Sequence, residues 1–156
     1  MFPGQKESAE TLRIELTLGM RSISEVVAWA DDVVARDQIP DSEILELATC
    51  GHSTEQEVCV LLDAVRGERV SARVAGRVLG TLRTSLAADP ARGEEIARQI
   101  YEMALRGFLP EEEFGWEPYS LEDNFFLATC GYYGDHASAV RMLDDFLAKY
   151  EVRNAV

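Results

Sequence analysis

A five-residue string occurs twice in this chain, and that repetition constrains its fold more than any other feature. Leu47-Ala48-Thr49-Cys50-Gly51 returns as Leu127-Ala128-Thr129-Cys130-Gly131 at an offset of 80 residues. The flanks keep the same order. Upstream, at an offset of 70, Val26, Val27, Ala30, Val33 and Val34 stand opposite Ile96, Ala97, Ile100, Met103 and Ala104, and the match ends with Ile39-Pro40 against Leu109-Pro110. Downstream, at an offset of 81, Val58, Leu61, Leu62 and Val65 stand opposite Ala139, Met142, Leu143 and Phe146. Apolar positions that match by spacing as well as by kind are what two related structural units produce. The chain therefore reads as two related halves, 22–66 and 92–150, each with three helical segments. The second half carries ten extra residues after Pro110 and one more after Gly131.

The period of the apolar residues makes these segments helices. Ile23, Val26, Val27, Ala30, Val33 and Val34 form a one-sided stripe at helical spacing. Ser22 with Glu25 is a capping box in front of it, and Pro40 pushes the preceding residue out of the helical region. A short helix over 41–50 follows, closed by Gly51. Thr54 with Glu57 caps the third, which runs to Arg66. In the second half a helix over 93–106 ends at Gly107, Ser120 with Asp123 caps the next, and Asp135 caps the last, which reaches Tyr150. Between the halves, Val70, Val74, Val78, Leu79, Leu82 and Leu86 predict a central helix over 69–88. Ala72, Gly76 and Gly80 give it a stripe of small residues. Glycine within a helix costs about 1 kcal/mol relative to alanine, so the stripe predicts close approach of another helix. At the amino terminus, Leu12, Ile14, Leu16, Leu18 and Met20 alternate as a strand would. Leu12, Leu16 and Met20 also share a helical face, and a lone strand would find no sheet, so the segment reads as helix. The expected fold is all-α: a single domain of about seven helices, two three-helix halves around a central helix, resembling an α-solenoid.

Composition narrows the chemistry. A length of 156 residues with 47% hydrophobic residues is enough for one core, and no run approaches the length of a membrane span. The opening residues lack the basic stretch and apolar region of a secretory signal. Three cysteines are too few and too unevenly spaced for a disulfide framework. They read as buried thiols in a reducing compartment, which places the protein in the cytoplasm. A net charge of −13 opposes binding to nucleic acid and to anionic membranes and favours a basic protein partner.

No motif marks a catalytic or metal site. Cys50 with His52, and Cys130 with His136, fall short of the four ligands of zinc, and Tyr132 takes the place of His52 in the repeat. A cysteine ending a short buried helix is the simpler reading of both. No Gly-rich phosphate loop opens a helix, and the paired carboxylates Asp31-Asp32 and Asp144-Asp145 sit as solvent-facing residues do. Neither an enzymatic activity nor a cofactor is expected.

Charge is segregated along the chain. From Asp37 to Val65 there are seven acidic residues and no Lys or Arg, and from Gly107 to Val140 again seven and none. Between them Arg66, Arg69, Arg73, Arg77 and Arg83 face only Glu68. Intramolecular pairing with the acidic halves accounts for these arginines better than a nucleic-acid stripe. The insertion after Pro110 is the most function-like segment. It combines Glu111, Glu112, Glu113 and Glu117 with Phe114, Trp116 and Tyr119. Aromatics ringed by acid suit a hot spot for a basic partner, the alternative being aromatics tucked over the open end of the second half.

In length, acidity, helical make-up and the amphipathic segment from Leu12 to Val34, the chain resembles the immunity proteins that protect bacteria from polymorphic or contact-dependent toxins. The resemblance implies a tight complex whose acidic face covers the active site of a basic toxin. A helical-repeat adaptor or regulatory scaffold with a cellular partner is the alternative from a different class.

Overall fold

The computed structural model describes residues 4–154, and every regular element among them is helical. In chain order these are α1 (Gln5–Thr17), α2 (Ile23–Arg36), α3 (Ser42–Leu47), α4 (Glu55–Ala64), α5 (Ser71–Ala88), a 3-10 turn (Pro90–Arg92), α6 (Gly93–Leu105), α7 (Glu111–Phe114), α8 (Glu117–Thr129) and α9 (His136–Asn154). The described residues thus hold nine α-helices where about seven were expected: α1 precedes the two three-helix halves and the helix between them, and the insertion after Pro110 winds into a turn of its own, α7. None is long and apolar enough to cross a membrane. The segment with alternating Leu and Ile is helical as far as Thr17; Leu12 and Leu16 lie in α1, whereas Leu18 is its C-cap and Met20 lies beyond it.

The chain divides into two compact units, Met1–Val70 and Ser71–Val156. In the first, α1 packs on α4, α2 on α3 and α3 on α4. Val26, Ala30, Ile44, Leu47, Val58 and Leu62 are wholly buried there, with Ala9, Leu16, Cys50 and Val65 around them. Both capping boxes form. The Glu25 amide donates to Ser22 Oγ at 3.3 Å while the Ser22 amide donates to Glu25 Oε2 at 2.8 Å. Thr54 and Glu57 repeat the exchange at 3.3 and 2.7 Å. Each box satisfies two backbone donors that a helix start leaves unpaired.

In the second unit α5 packs on α9, α6 on α8 and α8 on α9. The order of packing along α6, α8 and α9 thus parallels that along α2, α3 and α4. The helix anticipated between the halves belongs to this unit, through the buried stripe of Val74, Val78, Leu79, Leu82 and Leu86. Of the small-residue stripe, Gly76 is buried, whereas at Gly80 an added Cβ would meet nothing within 4 Å. A tight contact occurs at Gly93, outside the stripe: a Cβ on this first residue of α6 would lie 2.8 Å from Phe125 Cζ and 3.2 Å from Val140 Cγ2.

Two further expectations are corrected. Cys50 is buried, but Cys130 is exposed. α3 spans only six residues, so Cys50 lies in the turn beyond it, whereas α8 spans thirteen and Cys130 is its C-cap. Helical phase then carries Cys130 to the side away from the buried Leu121 and Phe125. Gly131 follows in the left-handed region (φ 70°), with the Tyr132 amide donating to the Leu127 carbonyl at 2.9 Å; Gly51 has no positive φ. Ser120 is not a cap either. α8 begins at Glu117, and Ser120 Oγ donates to the Glu117 carbonyl at 2.8 Å from inside the first turn. Asp135 does cap α9, accepting from the Ser138 amide at 2.8 Å while its own amide donates to Ser138 Oγ at 2.9 Å.

Candidate functional site

The insertion is built in two layers. Pro110 precedes α7, whose Glu111, Glu112 and Glu113 are all exposed. Phe114 turns inward: it is 4% exposed, and its ring centroid lies 4.2 Å from that of Tyr150 on α9. The Tyr150 hydroxyl lies 3.3 Å from the Glu113 carbonyl and 3.4 Å from that of Phe114, donating to both. Gly115 (φ 59°) ends α7, and the chain enters α8 through Trp116. Pro118 sits buried in the first turn of α8, where a missing amide proton costs nothing.

Trp116 is 74% exposed. Its ring lies 5.5 Å from that of Tyr119, which meets Tyr101 of α6 edge-on at 5.7 Å. Tyr119 is half-buried between them. Glu117 is exposed and 3.2 Å from Lys149 Nζ, and that pairing raises the lysine's pKa. The structure therefore gathers Glu111, Glu112, Glu113, Trp116, Glu117 and Tyr119 on the surface and directs Phe114 into the core. A braced, solvent-exposed indole beside carboxylates can bury apolar area against a partner while attracting its cations.

Three of these arginines pair with carboxylates of their own unit. In the first, Arg66 reaches Asp41 at 3.7 Å, and Arg69 reaches Glu10 at 2.9 Å and Asp63 at 3.8 Å. In the second, Arg83 meets Asp144 at 3.1 Å. Sequence reasoning missed the centre of this arrangement. Glu10 of α1 is 2% exposed and lies 2.8 Å from both Lys6 Nζ and Arg13 Nη2, while the Lys6 ammonium also donates to the Asp63 carbonyl. Burial by itself would raise the Glu10 pKa; hydrogen bonds from Lys6 and Arg13, with their charges, outweigh it and leave the carboxyl below its ordinary value. The three-and-four spacing of Lys6, Glu10 and Arg13 was the available signal. Also missed were Phe126, Tyr132 and Tyr133, which are 60%, 78% and 70% exposed.

His52 is exposed beside the buried Cys50. His136 Nε2 lies 3.3 Å from the Pro90 carbonyl, with its ring against Phe125. Among the described residues no group of three or more His, Cys, Asp or Glu could hold a metal ion. A shallow hollow of about 430 Å³ in the first unit is lined by Glu46, Gln56, Glu57, Val60 and Leu61, and its Glu57 is engaged in the cap of α4. Comparison with protein-family models, with curated proteins and with solved structures gave no match.

Proposed function

We propose that the protein is a non-enzymatic acidic binding protein of the immunity class. Built on two related helical halves and acting in the cytoplasm, it neutralises a basic bacterial toxin domain by covering that domain's active site. The observation that carries this reading is Trp116, 74% exposed and braced on Tyr119, among four exposed glutamates. Nothing positive interrupts this stretch, since no Lys or Arg lies between Gly107 and Val140. Glu111, Glu112 and Glu113 steer a basic surface to the site, and Trp116 anchors it once water is expelled. Where the toxin is a nuclease, the carboxylates occupy the places of substrate phosphates.

The test is co-expression with the toxic domain encoded by the adjacent upstream gene. Growth should be rescued, with a complex of nanomolar strength or tighter. Trp116→Ala should raise the off-rate roughly tenfold or more, and Gln at 111, 112 and 113 should lower the on-rate and flatten its salt dependence. Absence of both rescue and binding would overturn the reading.

A further inference from the structure

α8 has two apolar faces. Pro118, Leu121 and Phe125 are buried on the inner one. On the other side Trp116, Tyr119, Asp123, Phe126 and Cys130 follow at intervals of three, four, three and four residues. Both end residues have right-handed helical backbone, so the stripe keeps its phase throughout. It is about 21 Å long at 1.5 Å per residue. Alternating steps of three and four are the seam by which one helix receives another. Yet this seam is open: Trp116 and Phe126 are 74% and 60% exposed, and Asp123 and Cys130 face solvent. Only Tyr119 is half covered, by its contact with Tyr101.

Charge decides the occupant. Asp123 is the middle residue of the seam, and in chain order Glu111, Glu112 and Glu113 precede it, all four exposed. Glu117 and Glu122 beside the seam are already neutralised by Lys149 and Arg98, each at 3.2 Å. A second copy is disfavoured, since each chain carries −13 and a two-fold pairing centred on the stripe would bring two Asp123 carboxylates together. We propose that the outer face of α8 docks an amphipathic helix of the basic partner, with a Lys or Arg of that helix seated against Asp123. The inference rests on the partner reading above and extends it from the insertion along the whole of α8.

A synthetic peptide of about three heptads, with Leu at the seam positions, one central seam Lys and Lys elsewhere, is the probe. Its controls are a scrambled peptide of the same composition and a version with Glu in place of Lys. Binding of the Lys peptide should slow labelling of Cys130, the last seam residue, roughly tenfold or more, and Phe126→Ala should weaken binding by a similar factor. Asp123→Lys should shift preference toward the Glu peptide. Both substitutions lie on the surface, so an unchanged melting temperature confirms that the variants are folded. Equal protection by the scrambled peptide, full-rate labelling of Cys130 in the peptide complex, or self-association through this face in sedimentation would each overturn the proposal. The toxin rescue assay is run on the same variants. Rescue untouched by Phe126→Ala and Asp123→Lys removes the seam and leaves toxin neutralisation standing. Absence of rescue by the unaltered protein removes toxin neutralisation, while the peptide measurement still decides the seam.

Discussion

Arg69 Nη1 donates to Glu10 Oε2 at 2.9 Å across 59 residues of sequence. With Lys6 and Arg13 it encloses a carboxylate that α1 carries out of solvent, so that a helix rich in charged residues becomes part of the interior of the first unit. Such an enclosure stabilises only while every member is present, because a deeply buried charge without partners is expensive.

Acid should therefore weaken the first unit through Glu10. Its folded pKa is depressed, so the stabilisation is fully present above the unfolded value of about 4.3 and is lost as pH falls through the folded pKa. At neutral pH, Glu10→Gln should cost about 3 kcal/mol in urea unfolding, since it leaves the surrounding cations without their anion. The gap between the two proteins should narrow as pH drops below about 4. Parallel stability curves from neutral to acid would argue against the enclosure.

The cysteines should separate by reactivity. Burial pushes the Cys50 thiol up, away from the reactive thiolate, whereas Cys130 is exposed at the end of α8. In the native protein a maleimide time course read by mass spectrometry should modify Cys130 first, Cys59 later and Cys50 only on unfolding. Equal rates for Cys50 and Cys130 would contradict the different placement of the two repeated strings.

Two glycines in helices should respond to alanine with opposite sign. At Gly93 a new methyl group would press on Phe125 and Val140, so Gly93→Ala should destabilise by about 1–3 kcal/mol, the usual cost of overpacking. At Gly80 the methyl group would find open space in the middle of α5, and Gly80→Ala should stabilise by about 0.5–1 kcal/mol. Thermal melts of the two variants beside the parent decide the matter.

Within the insertion, Phe114 and Trp116 should part company. Phe114 is packed on Tyr150, and Phe114→Ala should cost about 3 kcal/mol or more of stability. Trp116 is mostly in solvent, and Trp116→Ala should change stability by no more than about 0.5 kcal/mol. A large loss of stability from the Trp116 variant would mean that the indole serves the fold, and the binding surface would lose its anchor.

The amino-acid order by itself determined what depends on near neighbours. The capping pairs Ser22–Glu25 and Thr54–Glu57, the cap at Asp135 and the helix end at Gly107 all formed where the sequence placed them. Each involves groups within about one helical turn, whose geometry the backbone sets without help from the rest of the chain. Tertiary structure decided which faces those helices cover. It buried Cys50 and exposed Cys130 within identical strings, directed Phe114 inward and Trp116 outward, and placed α5 in the second unit. It also enclosed Glu10, whose local sequence reads as a solvated helix face. Burial depends on what packs against a side chain, and that partner comes from a distant stretch, as Arg69 does for Glu10. Periodicity specifies that a helix has faces; only packing against another helix decides which of them meets water.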